Sequence, residues 1–303
     1  MRARGQVKPR ASISVRTRWG WGPSASEKMS PLDPWAIAQE LLTARASRGV
    51  IPVPPSARDA AFDLTAGYAV EAELARLRRA GGHATVGRKV GFANKALWRA
   101  LKLDTLVWAR MYDDTVRFAR DNAAELSLGH MRSPKIEPEI VFKMSQPAGQ
   151  DDLDPSAVLS RVEWLALGFE IVDCPFADWK FQPADFVAAF GLHAALVVGK
   201  PREVQPALIP MLVEQLPRFT VRLLKNGQLV DEGSGRNVLR SPALCLGELA
   251  SAISRRPAAE PLSAGEVVSS GTLTGSQPVA PGDIWTAVVD GLDLPDLTLR
   301  SIA

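Results

Sequence analysis

The sequence predicts an α+β fold on three observations. Apolar residues recur at helical spacing between residues 34 and 79, short β-type runs bounded by Gly and Pro follow Gly81-Gly82, and no regular β-α-β alternation appears. Ser30-Pro31-Leu32-Asp33-Pro34 reads as a turn and helix start, and Trp35, Ile37, Ala38, Leu41 and Leu42 then place a helix over residues 34–47. The Pro-rich linker Ile51-Pro52-Val53-Pro54-Pro55 ends it. From Ala57 to Arg79, the residues Phe62, Tyr68, Val70, Leu74 and Leu77 stand among charges at the same period, which predicts a second amphipathic helix. Strands are expected at Thr85–Phe92, Ile136–Met144, Phe219–Lys225, Gly265–Thr272 and Asp283–Val289. Helices are expected between them at Ala157–Gly168, Ala207–Leu216 and Pro242–Ser254. The chain therefore divides into an extension over 1–28, a helical part over 29–80 and a strand-rich body over 81–303.

With 303 residues and 46% hydrophobic composition, the chain can bury a large core. Charged residues, Pro or Gly interrupt every apolar run before it reaches membrane-spanning length, so no integral membrane role is expected. The two cysteines, Cys174 and Cys245, are far apart and offer no CxxC, which argues against a disulfide framework or structural zinc and suits the cytoplasm. The net charge of +3 is uneven: residues 1–28 hold seven Lys/Arg and one acid, leaving 29 basic and 32 acidic residues for the rest. The body is thus no polyanion binder, and no nucleic-acid partner is expected. The basic extension lacks an apolar period and is expected to be disordered. Initiation at Met29, a transit peptide and a nucleic-acid-binding arm all suit its composition; the helix signal directly after Met29 favours the first.

Three segments carry candidate chemistry. In Pro134-Lys135-Ile136-Glu137-Pro138-Glu139-Ile140-Val141-Phe142, strand alternation puts Glu137 and Glu139 on one face. Two neighbouring carboxylates repel unless a cation sits between them, so the pair suits a hard divalent metal; a half-exposed strand with solvated acids fits the pattern as well. Glu170 lies inside the apolar run Leu165–Val172, where a buried charge needs either a metal or an ion pair, for example with Lys180. Lys89, in Val86-Gly87-Arg88-Lys89-Val90-Gly91-Phe92, is either a solvated strand lysine or one whose apolar setting lowers its pKa for acid–base work or pairs it with an anion.

Four motifs together resemble a known family. Gly87-Arg88-Lys89-Val90-Gly91, the 134–142 segment, Phe169-Glu170-Ile171-Val172-Asp173 followed by Asp178-Trp179, and Ser270-Gly271-Thr272-Leu273-Thr274 occur in the order seen in 2-oxopent-4-enoate hydratases of the fumarylacetoacetate hydrolase superfamily. The resemblance covers about residues 35 to 303. It implies a mixed β-roll for the catalytic body, a divalent cation (Mg²⁺ or Mn²⁺) and a 2-oxo or 2-hydroxy-dienoic acid substrate. By position it makes Glu137, Glu139 and Glu170 the metal ligands and Lys89 a catalytic or substrate-carboxylate residue, with Arg88 and Thr272, in the same motifs, as substrate-binding residues. It also implies a homo-oligomer, with a pathway aldolase or decarboxylase as a candidate partner.

The departures are as informative. Where hydratases of this group carry an Asp-Asn-Ala-Ser-like run, this chain has Ala189-Phe190-Gly191-Leu192-His193, and Ala188-Ala189-Phe190 stands where the C–C hydrolases have Lys-Ser-Phe. Arg240-Ser241-Pro242 replaces a frequent Gly-His-Pro, and His83 and His130 match nothing. His193 is thereby a candidate acid–base group, or else a packed core histidine. The expected activity is a metal-dependent hydratase of a 2-hydroxy-2,4-dienoate in aromatic-compound degradation. A 2-oxo acid decarboxylase is the second reading, an acylpyruvate-type C–C hydrolase the third, and a catalytically silent partner of an active paralogue the non-enzymatic one.

Overall fold

The computed structural model describes residues 33–256 and 259–303. The extension over 1–28 and the proposed start at Met29 lie outside them. Helix α1 (Pro34–Ser47) begins where Asp33 accepts a hydrogen bond from the Trp35 N–H. The helix expected over 57–79 is divided into a single turn, α2 (Pro55–Arg58), and α3 (Leu64–Ala80). Asp63 starts α3 by accepting from the N–H groups of Thr65 and Ala66. The chain continues through β1 (Thr85–Gly91), α4 (Lys95–Leu101), β2 (Val107–Tyr112), β3 (Val116–Phe118), β4 (Ala123–Ser127) and β5 (Lys135–Met144). After α5 (Pro155–Leu159) come β6 (Val162–Val172), α6 (Pro183–Ala188), β7 (His193–Val198), β8 (Arg202–Glu203) and α7 (Ile209–Gln215). The last elements are β9 (Thr220–Lys225), β10 (Gln228–Ser234), α8 (Pro242–Ser254), β11 (Val267–Thr272), β12 (Gln277–Pro278), β13 (Ile284–Asp290) and β14 (Leu297–Ile302).

The helix expected over 157–168 is corrected: only its first residues are helical, in α5, and residues 162–172 are the central strand β6. Asp154 caps the short helix. Beyond it, β6 lies between β5 and β7 and is covered on both faces, so Leu165–Val172 is continuously buried and shows no alternation to read. Strand β2, buried at all six positions, escapes notice for the same reason.

Nine strands form one mixed sheet in the order β2-β1-β11-β5-β6-β7-β3, with β12 on β5 and β8 on β6; five form a second, β10-β9-β13-β14-β4. This is the mixed, curled sheet architecture expected of the body. The registers decide what meets. Glu137 pairs with Glu170 across β5 and β6, Thr272 with Glu139 across β11 and β5, and Lys89 with Ser269 across β1 and β11. The helical front shares its core with the body: Ile37, Leu41, Val70 and Leu74 pack in one cluster with Val107, Phe176 and Phe186. Gly67 lets α3 meet α6, since a Cβ there would stand 2.5 Å from Ala184 O. No helix among the described residues is long and apolar enough to cross a membrane.

Candidate metal centre and active site

Two neighbouring strands, β5 and β6, build a carboxylate cluster. Each of Glu137, Glu139 and Glu170 offers an oxygen such that all three lie within 4.8 Å of one another. Like charges directly opposed on neighbouring strands destabilise a sheet, and burial worsens the repulsion, yet Glu139 and Glu170 are fully buried here. Burial pushes the carboxyl of Glu137 up, and pushes that of Glu139 well up, reinforced by the charges of Glu170 and Glu137. Burial would raise Glu170 too, but the Lys89 ammonium and the His193 hydrogen bond outweigh it and hold Glu170 below the ordinary carboxylate range.

The partners of these acids leave specific oxygens over. Glu139 Oε2 accepts from Ser269 Oγ and from the Gly271 N–H at 2.8 Å, whereas Glu139 Oε1 has no hydrogen-bond partner among the described residues. Glu170 Oε1 lies 2.8 Å from His193 Nδ1; Oε2 faces Lys89 Nζ at 3.1 Å as an ion pair without a well-aligned hydrogen bond. Buried acceptors of one sign, aimed together and short of donors, fit a hard divalent cation that takes oxygen ligands.

Lys89 sits at the edge of this cluster. Its Nζ donates to Gly191 O at 2.9 Å and lies over the Phe186 ring at 4.8 Å. Gly191 has φ +60°, and a Cβ on it would stand 2.6 Å from Lys89 Cδ, so glycine makes room for the lysine. Of the readings open for Lys89, the structure favours pairing with an anion over a lowered pKa. Burial acts downward on Lys89, but Glu170, Glu137 and Glu139 together outweigh it and raise its pKa.

Lys89, Glu137 and Thr272 line a cleft of about 550 Å³, walled on the apolar side by Phe92, Phe181, Phe186 and Leu192. Thr272 donates to Thr274 O at 2.9 Å. The expected substrate residue Arg88 does not join them: as the neighbour of Lys89 on β1 it points to the other face, pairs with Glu266 at 2.5 Å and lies over Trp108. His193 is buried behind Glu170 and does not line the cleft. Lys180 is not the partner of Glu170; it pairs with Asp178 in solvent. His83, Asp113 and Asp114 also approach one another, but exposed, and with Arg78 on Asp114 they read as a surface ion-pair cluster. Sequence reasoning missed Thr115 and the Gly191 carbonyl, which no local pattern marks.

Residues 111–297 match the family model described as the fumarylacetoacetate (FAA) hydrolase C-terminal family. The chain belongs to the fumarylacetoacetate hydrolase family. The matched span holds the three glutamates and His193, while Lys89 precedes it. Among relatives, the 2-hydroxyhexa-2,4-dienoate hydratase of Comamonas testosteroni is 29% identical over 225 residues, 74% of this chain and 82% of that protein. A 4-oxalocrotonate decarboxylase of Pseudomonas sp. (strain CF600) is 28% identical over 74% of this chain and 81% of its own. The solved 4-oxalocrotonate decarboxylase of Pseudomonas putida G7, complexed with magnesium and adipate, shares the fold: TM-score 0.79, 24% identity, 90% of this chain and 99% of that one. A fumarylpyruvate hydrolase of Pseudomonas aeruginosa fits less closely, with TM-score 0.54 over 72% of this chain.

Proposed function

We propose that this member of the fumarylacetoacetate hydrolase family is a hydratase that adds water to a 2-hydroxy-2,4-dienoate, in the breakdown of aromatic compounds. The observation that carries the reading is the triad of Glu137, Glu139 and Glu170, the last two fully buried, beside the Lys89 side chain and at the side of a cleft with one apolar wall. The triad would hold a divalent cation, Mg²⁺ or Mn²⁺, which when bound supplies Lewis-acid polarisation to the substrate's carboxylate and 2-oxygen. Dienoate hydratases are relatives over most of the chain, which supports the substrate class.

Hydration requires a proton at the terminal diene carbon as the 2-hydroxyl proton leaves, giving a conjugated 2-oxo-enoate, then water across C3–C4, with the hydroxyl on C4 and the proton on C3. Lys89 pairs with Glu170 and lines the cleft, so it suits a proton donor and a partner for substrate anion. Phe92, Phe181, Phe186 and Leu192 give the diene tail an apolar wall. His193, buried behind Glu170, does not itself line the cleft and is no substrate acid–base group in this reading. The reading includes a homo-oligomeric enzyme of the cytoplasm, partnered in its pathway by an aldolase or a decarboxylase; the two free, buried cysteines suit a reducing compartment.

One observation favours the decarboxylase as the second reading. Lys135 lines the same cleft from the Glu137 face of β5 and stacks over Trp179 at 3.8 Å, so a second cation stands ready for a second carboxylate. The deciding assay supplies freshly generated 2-hydroxypenta-2,4-dienoate with Mg²⁺, follows loss of the dienol absorbance and identifies the product by NMR. A 4-hydroxy-2-oxo acid is expected. CO₂ release from a dicarboxylate analogue, with no hydration of the simple dienoate, would overturn the hydratase in favour of the decarboxylase.

A further inference from the structure

His193 and Thr115 make a hydrogen-bonded chain that ends on Glu170. The imidazole Nδ1 lies 2.8 Å from Glu170 Oε1 and Nε2 lies 3.0 Å from Thr115 Oγ1, all three side chains being buried. The Thr115 hydroxyl also stands 2.9 Å from Tyr112 O and 3.3 Å from the Tyr112 N–H. Hydrogen counting then fixes the ring. A bare Nδ1 would set its lone pair against a carboxylate oxygen, so Nδ1 must carry a hydrogen and donate it to Glu170. In the neutral ring this leaves Nε2 bare, and among the described residues it is the Thr115 hydroxyl, turned from Tyr112 O, that supplies it with a donor; in a charged ring the same oxygen accepts from Nε2. Thr115 thus serves the Nδ1–H arrangement in either state.

The backbone under the ring is pinned from the helical front. Arg45, in the last turn of α1, donates to His193 O at 2.7 Å and to Ala194 O at 3.3 Å, with its guanidinium over the Phe190 ring. Burial keeps the imidazole below its ordinary pKa, against the pull of Glu170, and the positive charges of Arg45 and Lys89 act in the same downward direction. The Glu170 carboxylate is therefore gripped at both oxygens, by His193 on one and Lys89 on the other.

We propose that Thr115 and His193 are positioning residues, which hold the Glu170 carboxylate in the orientation it needs toward the cation of the three-glutamate centre. The inference rests on the metal reading of that centre. Outer partners of ligating groups fix the ligand's orientation, and their loss typically weakens metal affinity by about 10–100-fold.

The test is Mn²⁺ titration of the full chain by calorimetry, with melting temperature and kcat and KM for the dienoate measured in parallel. Thr115→Val should weaken Mn²⁺ binding by about 10–100-fold, and Thr115→Ser, which restores the hydroxyl, should recover it. His193→Gln, which keeps an N–H for Glu170, should bind Mn²⁺ more tightly than His193→Ala. Should Thr115→Val fail to fold, nitrogen-15 NMR of the wild-type ring decides the matter: a hydrogen on Nδ1 is expected, and a bare Nδ1 overturns the proposal. A folded Thr115→Val protein with wild-type Mn²⁺ affinity overturns it as well. Absence of Mn²⁺ binding to the wild type would instead overturn the metal centre itself, so the two failures are distinct.

Discussion

Glu137 and Glu170 occupy directly opposed positions on β5 and β6, so the sheet holds two carboxylates face to face in its interior, with Glu139 beside them. A sheet gains nothing from this arrangement by itself, since opposed like charges destabilise it and desolvation adds to the cost. Glu139→Gln should therefore separate stability from function. It removes the acid whose ionisation the cluster most disfavours while keeping the shape and most hydrogen bonds, so at a pH where that acid is ionised the metal-free protein should melt higher than the wild type. Mg²⁺ affinity by calorimetry should fall at least tenfold in the same variant. A lower melting temperature without metal would show that the three charges are not in conflict, and unchanged affinity would remove Glu139 from the ligand set.

Lys89→Met tests the division of labour around Glu170. The ammonium pairs with Glu170 Oε2 and so competes with a cation for that oxygen. Mg²⁺ should bind the variant at least as tightly as the wild type, while kcat/KM falls by about 10²–10⁴, the range typical of a lost acid–base group. Loss of Mg²⁺ binding together with activity would instead make Lys89 a structural support of the cluster.

Much of this centre is legible in the sequence, and what is not has a physical reason. Glu137 and Glu139 announce themselves because strand alternation is local, and Glu170 because a charge in the run Leu165–Val172 is costly. Their meeting depends on register between strands, which no local pattern fixes. Proximity along the chain suggests Lys180 for Glu170, whereas the partner is Lys89, brought across by the order β1-β11-β5-β6 and the cluster's own field. Arg88 and Lys89 share a motif, but neighbours on a strand face opposite ways, and only Lys89 reaches the cleft. The helix expected over 157–168 fails because a strand covered on both faces loses its period of two.

The acid limb of stability should carry a contribution from Glu260. Its hydrogen bond to Arg79, helped by Arg110 and against partial burial, lowers its carboxyl to about 2 from 4.5. A carboxyl depressed on folding contributes stability that is present above about pH 4.5 and is lost as the pH falls toward 2. The side chain is 49% exposed, so solvent screening limits the effect to under about 1 kcal/mol. Urea midpoints of wild type and Glu260→Gln should differ modestly at pH 6 and converge by pH 2.5. A difference that persists or grows in acid would mean that the pair with Arg79 contributes no charge-dependent stability.

The last prediction concerns which dienoate the cleft prefers. Lys135 is held by Trp179, whose indole N–H donates to Ser133 Oγ at 3.1 Å and whose backbone, like that of Asp178 before it, lies in the left-handed region. Two successive non-glycine residues there are strained, and such strain persists only where the surroundings impose it. The loop thus fixes a cation at the cleft wall, about two strand positions from Glu137, roughly 7 Å along β5. An extended six-carbon diacid engaging the glutamate centre at one end could bring its far carboxylate near Lys135. The ratio of kcat/KM for a dicarboxylate over a monocarboxylate dienoate should fall about tenfold or more in Lys135→Gln and recover in Lys135→Arg, since a charge-assisted hydrogen bond to a carboxylate contributes about 1.5–3 kcal/mol. An unchanged ratio would show that Lys135 belongs to the wall alone, and the decarboxylase reading would lose the observation that favours it.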